Sequence, residues 1–338
     1  MFEHILVPLD GSLLAECVLP HIVAFAKTFH AKVTLLHVMP CEDANGSVKV
    51  IDPLDWIIRK SKAEAYQQSI SDRLKKAGVE TSTAIIEGRP AENIINYAHE
   101  SKVDLIALSS HGRSGLSGWN ISSVVQKVLY RAYTSLLIIP AYRQVQMDWA
   151  GFHYHKVFVG LDGSRRAEWV LPEALQLIAF HHASLLLAHV ILRLEVPSCV
   201  LINEEEINLI NRINERNRQF AETYLRDLCT RLSAELYDIT ANLVINENQI
   251  DALHELTEQE NADLVILSAH GNSGGFKRVY GSVTLSFITY GATPMLILQD
   301  LHPGIIKPVQ VELATIEQPT HQLPPQPPAS RGNSAWYS

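Results

Sequence analysis

Two kinds of hydrophobic pattern alternate along the chain. Short runs such as "VDLIALS" at 103–109 and "ADLVILS" at 262–268 are almost continuously apolar. That pattern predicts strands buried on both faces, as in a parallel sheet. Between them lie longer stretches with apolar residues every three to four positions, the period of an amphipathic helix. The pattern predicts strands near 3–9, 32–39, 79–86, 103–109 and 135–140, with helices near 13–29, 55–77, 90–101 and 119–132. It then begins again, with strands near 155–161, 184–191, 239–245, 263–269 and 294–299, and helices near 165–181, 203–234, 249–260 and 280–290. Alternation of this kind predicts a doubly wound α/β domain, twice over, with right-handed helical crossovers.

The wording repeats as well as the pattern. "HILVPLDGSLLAECVLPHIVAFAKTFHAKVTLLHVM" starts at His4, and "KVFVGLDGSRRAEWVLPEALQLIAFHHASLLLAHVI" starts at Lys156. Asp10 and Asp162 are 152 positions apart, whereas His111 and His270 are 159 apart. The seven extra residues are expected in the middle helix of the second copy or the loop before it. The expected division is a first domain over 1–141, a linker over 142–154, a second domain over 155–301 and a tail over 302–338. The tail contains "QLPPQPPAS" and lacks periodicity. Such a segment buries too little apolar surface to offset its ordering entropy, so it is expected to be disordered.

In an open parallel sheet, ligands bind beyond the carboxyl ends of the strands, where the strand order reverses. Two loops of each copy should meet there. The first follows strand one and reads "PLDGS" or "GLDGS", placing Asp10 or Asp162 at the strand end. The Gly-Ser that follows allows a tight turn and then a helix cap. The aspartate either serves that turn alone or also faces a ligand. The second loop follows strand four. It reads "SSHGRSGLSGWNISSV" at 109–124 and "SAHGNSGGFKRVYGSV" at 268–283. Gly112 and Gly271 follow a histidine, and glycine there lets the backbone approach a ligand. Gly281-Ser282 opens a helix, and unpaired N–H groups at a helix start favour phosphate. Lys277 and Arg278 lie just upstream. The first copy has Ser122-Ser123 where the second has Gly281-Ser282. No G-x-x-x-x-G-K-[ST] loop and no G-x-G-x-x-G after strand one is present.

These residues resemble the universal stress protein family, and the resemblance covers both copies up to about residue 300. Nucleotide-binding members carry Gly-x-x-Gly, nine residues, then Gly-Ser or Gly-Thr. Here the second copy gives Ser268-Ala269-His270-Gly271, nine residues, then Gly281-Ser282, followed by Val283. The first gives Ser109-Ser110-His111-Gly112, nine residues, then Ser122-Ser123, followed by Val124. The second copy thus departs at the first glycine, and the first copy departs at the first and the third. The resemblance implies that Asp10 and Asp162 lie near the ribose or phosphates. It implies that Val38 and Val190 meet the adenine through their backbone, and that Leu108 and Leu267 line the same pocket. It further implies strand order 3-2-1-4-5 in each half. The fifth strands would then be apolar edges able to pair with each other, or with another chain. The implied ligand is ATP or a related adenine nucleotide, with magnesium as an optional companion and no structural metal. The copy that keeps Gly281 is expected to hold its nucleotide more tightly.

Composition narrows the alternatives. Lys and Arg number 28 against 36 Asp and Glu, a formal charge of −8, which argues against a nucleic-acid partner. Cys17, Cys41, Cys199 and Cys229 form no C-x-x-C pair, and Cys17 and Cys229 fall in helical patterns. That predicts a reducing compartment without a disulfide framework. The start "MFEHILVPLD" enters a strand directly, and no run is long enough to span a bilayer. The cytoplasm is therefore the expected location, with no membrane partner. Of the 15 histidines, His111 and His270 are the best placed, and both are expected to shape their loops. His181-His182 ends a helix, where a partly charged ring suits the dipole. No arrangement of carboxylates or arginine suggests fast phosphoryl transfer. Three functions stay open: a nucleotide-binding stress-response module, a nucleotide-free dimerisation scaffold, and a slow ATPase.

Overall fold

The computed structural model describes residues 2–40, 53–112, 121–141, 149–195, 203–232, 238–272 and 279–300. The first half contains β1 (His4–Pro8), α1 (Leu13–Glu16), α2 (Leu19–Phe29), β2 (Lys32–Met39), α3 (Pro53–Lys76), β3 (Thr81–Glu87), α4 (Pro90–Glu100), β4 (Leu105–Ser109), α5 (Ser123–Arg131) and β5 (Ser135–Ile139). The second contains β6 (Lys156–Leu161), α6 (Arg165–Glu168), α7 (Leu171–His181), β7 (Ser184–Leu192), α8 (Glu204–Leu232), β8 (Ile239–Asn246), α9 (Gln249–Gln259), β9 (Leu264–Ser268), α10 (Ser282–Tyr290) and β10 (Met295–Leu298). The tail, Lys277, Arg278, Cys41, Cys199 and most of the expected linker lie outside the described residues.

The strands form one ten-stranded sheet in the order β3-β2-β1-β4-β5-β10-β9-β6-β7-β8. Each half is parallel and has the expected order 3-2-1-4-5. The halves join by an antiparallel pair, with Met295 opposite Ile138 and Ile297 opposite Leu136. The two fifth strands thus cover each other's edge within one chain. Alternate residues of each strand face opposite ways: Ile5 and Val7 pack into one apolar layer and Leu6 into the other. Both layers continue across the two halves, which is why the strand runs read as continuously apolar.

Each expected first helix is broken in two. Pro20 and Pro172 sit in the first turn of α2 and α7, where proline has no N–H to continue a preceding helix. Cys17 therefore falls at the junction between α1 and α2. Burial pushes its thiol up to about 11. The middle helix of the second half is the longer, with 29 described residues in α8 against 24 in α3, as expected for the extra residues.

Within the span expected as linker, Tyr154 is fully buried and its hydroxyl lies 2.7 Å from His21 Nδ1. Phe152, Phe25 and His181 pack around the same ring. This cluster fills the contact between α2 and α7. The charge expected on His181 is not favoured there. Burial, reinforced by His153 and His155, lowers its pKa to about 4. Its neighbour His182 ends α7 in the left-handed conformation, at φ 53°. No helix among the described residues is long and apolar enough to cross a membrane.

Candidate functional site

The sequence-predicted residues of the second half line one cavity of about 840 Å³. Asp162 comes from the end of β6, Val190 from β7, and Leu267 and Ser268 from β9. Gly271 follows β9, and Gly281, Ser282 and Val283 form the start of α10. The far wall is supplied by α8 and the last residues of β7. The volume suits a ligand of nucleotide size.

Both aspartates serve their turns. Gly163 holds φ 80°, and the Ser164 N–H donates to Asp162 Oδ1 at 3.0 Å. Ser164 then caps α6 by accepting the Ala167 N–H at 3.1 Å. The first half repeats this arrangement: Gly11 has φ 80°, Ser12 donates twice to Asp10 Oδ1, and its hydroxyl accepts the Ala15 N–H. The aspartates do more than shape the turn. Asp162 Oδ2 accepts the Asn272 N–H at 2.5 Å, tying loop one to loop four. The carboxylate presses against Gly271 so closely that a Cβ there would collide with Oδ2, and Asp10 stands in the same relation to Gly112. Any side chain at either position would have to displace that carboxylate.

The later glycine is a different case. A Cβ on Gly281 would meet Ala269 O at 3.7 Å, an ordinary contact, so a side chain fits there. The first half shows such a side chain. Ser122 sits at the start of α5 in extended conformation, and its hydroxyl accepts the Val125 N–H. Gly281 holds the same conformation at the start of α10 and has no side chain to place on those amides. Backbone bonds anchor both helix starts alike: Ser122 N–H to Ser110 O and Gly281 N–H to Ala269 O, each at 2.8 Å. Ser123 and Val124 continue α5 as Ser282 and Val283 continue α10.

A second asymmetry lies at the first motif position. Ser109 Oγ donates to His111 O at 2.6 Å and lies 3.4 Å from Cys17 Sγ. Ser268 Oγ, equally buried, has no hydrogen-bond partner among the described residues. Thus the first half satisfies its cradle internally, whereas among the described residues of the second the buried Ser268 hydroxyl has no partner and Gly281 places no side chain on the start of α10. In the first half, Val38 lies near the end of β2 and Leu108 in β4, matching Val190 near the end of β7 and Leu267 in β9.

The histidines differ too. His111 Nδ1 lies 3.1 Å from Ser110 Oγ. His270 Nδ1 lies 2.7 Å from Asp300 Oδ1, whose other oxygen takes the Arg166 guanidinium. Burial acts to raise the Asp300 pKa, but His270 and Arg166 outweigh it and hold the carboxyl below its ordinary range. Arg166 and Asp300 were not singled out from sequence. The readable signal was the comparison of the copies, where Leu14 and Ala141 hold the matching places. The same comparison separates Phe220, on the cavity wall, from Lys62.

Comparison with known proteins agrees with this architecture. The profile described as "Universal stress protein family" matches residues 1–140 and again 153–299. Universal stress protein MJ0531 of Methanocaldococcus jannaschii is 27% identical over 144 residues, covering 41% of this chain and 82% of that protein. Universal stress protein YxiE of Bacillus subtilis is 31% identical over 147 residues, covering 41% of this chain and 99% of that protein. A crystal structure of a universal stress protein from Archaeoglobus fulgidus superposes with a TM-score of 0.61 at 18% identity, covering 88% of this chain and 96% of that one. That structure shares the fold of the whole tandem. With two profile matches spanning most of its length, the chain belongs to the universal stress protein family as a tandem member.

Proposed function

We propose that the second half binds ATP or a related adenine nucleotide, and that the chain serves as a nucleotide-responsive stress module. One observation carries the reading: among the described residues the start of α10 has no capping side chain, and the buried Ser268 hydroxyl beside it has no partner. A helix start with open amides favours phosphate, and a buried hydroxyl without a partner costs about 1–3 kcal/mol until a ligand supplies one. The base would lie toward Val190 and α8, with the ribose over Asp162. The Asp162 carboxylate repels bare phosphates, so a magnesium ion carried by the nucleotide would find its protein ligand there. Among the described residues no group of three His, Cys, Asp or Glu side chains is placed to hold a metal, so the proposal gives the ion no cage of its own.

The first half favours a second reading for itself. Its helix start and its serine already have partners of their own, as suits a scaffold half. The expected stoichiometry is therefore one nucleotide per chain. Native mass spectrometry of the full-length protein with ATP and magnesium reads this directly. No bound nucleotide, together with no ATP-dependent rise in Tm, would remove the proposal; two equivalent nucleotides would remove the asymmetry. Hydrolysis is expected to be slow, because among the described residues the second carboxylate near the site, Asp300, is held by His270 and Arg166.

A further inference from the structure

The open end of the second cavity carries a large apolar side chain that the site described so far does not use. Phe220 lies on α8 and lines the cavity, yet it is 63% exposed. It stands one residue before Ala221, which is buried, and four before Tyr224, which lines the same wall. Leu192 and Leu194, at the end of β7, line the cavity with it and are 51% and 45% exposed. Three exposed apolar groups thus gather at the end of the cavity remote from α10.

The first half gives the control. Lys62 stands one residue before the buried Ala63 and four before Tyr66, the position of Phe220, and Pro40 follows β2 where Leu192 ends β7. Tyr66 and Tyr224, by contrast, occur in both halves and pack in both against a histidine, His37 or His189. The tyrosines therefore answer to the fold. Phe220 answers to something only the second half does.

We propose that Phe220 is the base-stacking residue of the second site and sets its selectivity for purine nucleotides over inorganic polyphosphate. This rests on the nucleotide-binding reading above and extends it to a group outside the family's glycine motif. A ligand with its phosphates at Gly281-Ser282 and its sugar over Asp162 delivers its base to the β7–α8 end of the cavity. An aromatic ring stacks on any base through its π face, and a larger bicyclic base gains more contact than a single ring. The ring carries no hydrogen-bonding group of its own. It therefore favours purine over pyrimidine and discriminates weakly between adenine and guanine. The Arg216 guanidinium lies over the ring, its carbon 5.4 Å from the centroid, on a neighbouring surface groove that Phe220 also borders.

The test compares ATP, UTP and inorganic tripolyphosphate by calorimetric titration of the full chain carrying Phe220, Phe220→Ala or Phe220→Trp. Phe220 is exposed, so Tm of the free variants should equal that of the parent. Phe220→Ala is expected to weaken ATP by about tenfold or more. It should leave tripolyphosphate unchanged and bring ATP and UTP closer together, and Phe220→Trp should restore ATP. Equal losses for ATP and tripolyphosphate, or no loss for either, would overturn the role of Phe220 while leaving nucleotide binding intact. Failure of the unmodified chain to bind ATP would overturn both.

Discussion

Ser268 stands at the place of the first glycine in the motif that the family resemblance implies, and its surroundings decide what that exchange means. Its hydroxyl is buried beside the start of α10 with no partner among the described residues. Removing an unsatisfied buried hydroxyl is neutral or stabilising, whereas losing a bond to a charged ligand costs about 1.5–3 kcal/mol. Ser268→Ala should therefore leave Tm unchanged or raised and weaken ATP roughly tenfold. Ser109→Ala should behave in the opposite way, lowering Tm with no effect on nucleotide, because Ser109 already bonds His111 O. Thermal melts paired with titration separate the two. At this scale the sequence showed which residues gather but not why. Gly112 and Gly271 read as sites of ligand approach, and it took three dimensions to show that carboxylates of Asp10 and Asp162 fill the space beside them. The Arg166–Asp300–His270 contact brings together residues 134 and 30 positions apart, beyond any local pattern.

The helices that begin at the two loops carry the difference between the halves. Ser122 fills an amide of α5 with its own hydroxyl, whereas Gly281 leaves the matching region of α10 without one. Gly281 has room for a Cβ, so exchanging the caps should not disturb the fold. Gly281→Ser should weaken ATP at the second site while changing stability by only a few tenths of a kcal/mol. Ser122→Gly should leave α5 free to accept an anion in the first half, adding a weak second nucleotide. Stoichiometry by native mass spectrometry reads both changes; unaltered binding in Gly281→Ser would show that the cap is not what separates the halves. Elements were the most legible level of the sequence, since apolar runs and helical period survive any ligand. What pattern alone missed was the break at Pro20 and Pro172, where apolar spacing continues through a backbone that proline interrupts.

Across the whole molecule, the halves are joined by more than the β5–β10 pair. The Tyr280 hydroxyl donates to Leu129 O at 2.9 Å, linking the segment just before α10 to the last turn of α5. On the other side of the sheet, His21, Tyr154 and His181 close the contact between α2 and α7. Burial lowers His21 from 6.5 to about 3, and His181 is lowered to about 4. A lowered folded pKa contributes stability that is full above pH 6.5 and fades as pH falls toward 4, because the unfolded rings take up protons first. For His21 alone the loss at pH 4.5 is roughly 3 kcal/mol. Tm should therefore drop steeply between pH 6.5 and 4.5. The paired change His21→Leu with Tyr154→Phe, which removes both polar partners, should flatten that drop. An unchanged pH profile in the double variant would place the sensitivity elsewhere.

The antiparallel seam has one more consequence. Two identical chains meeting at their fifth strands are bound to share every mutation, so their cradles open or close together. Joining the copies into one polypeptide releases that constraint. Here the seam joins two cradles that differ, one with Ser122 capping its helix start and one with Gly281 in that place. On the proposed reading, the tandem keeps a permanent companion for its nucleotide-binding half at any concentration, and that companion need never compete for the ligand.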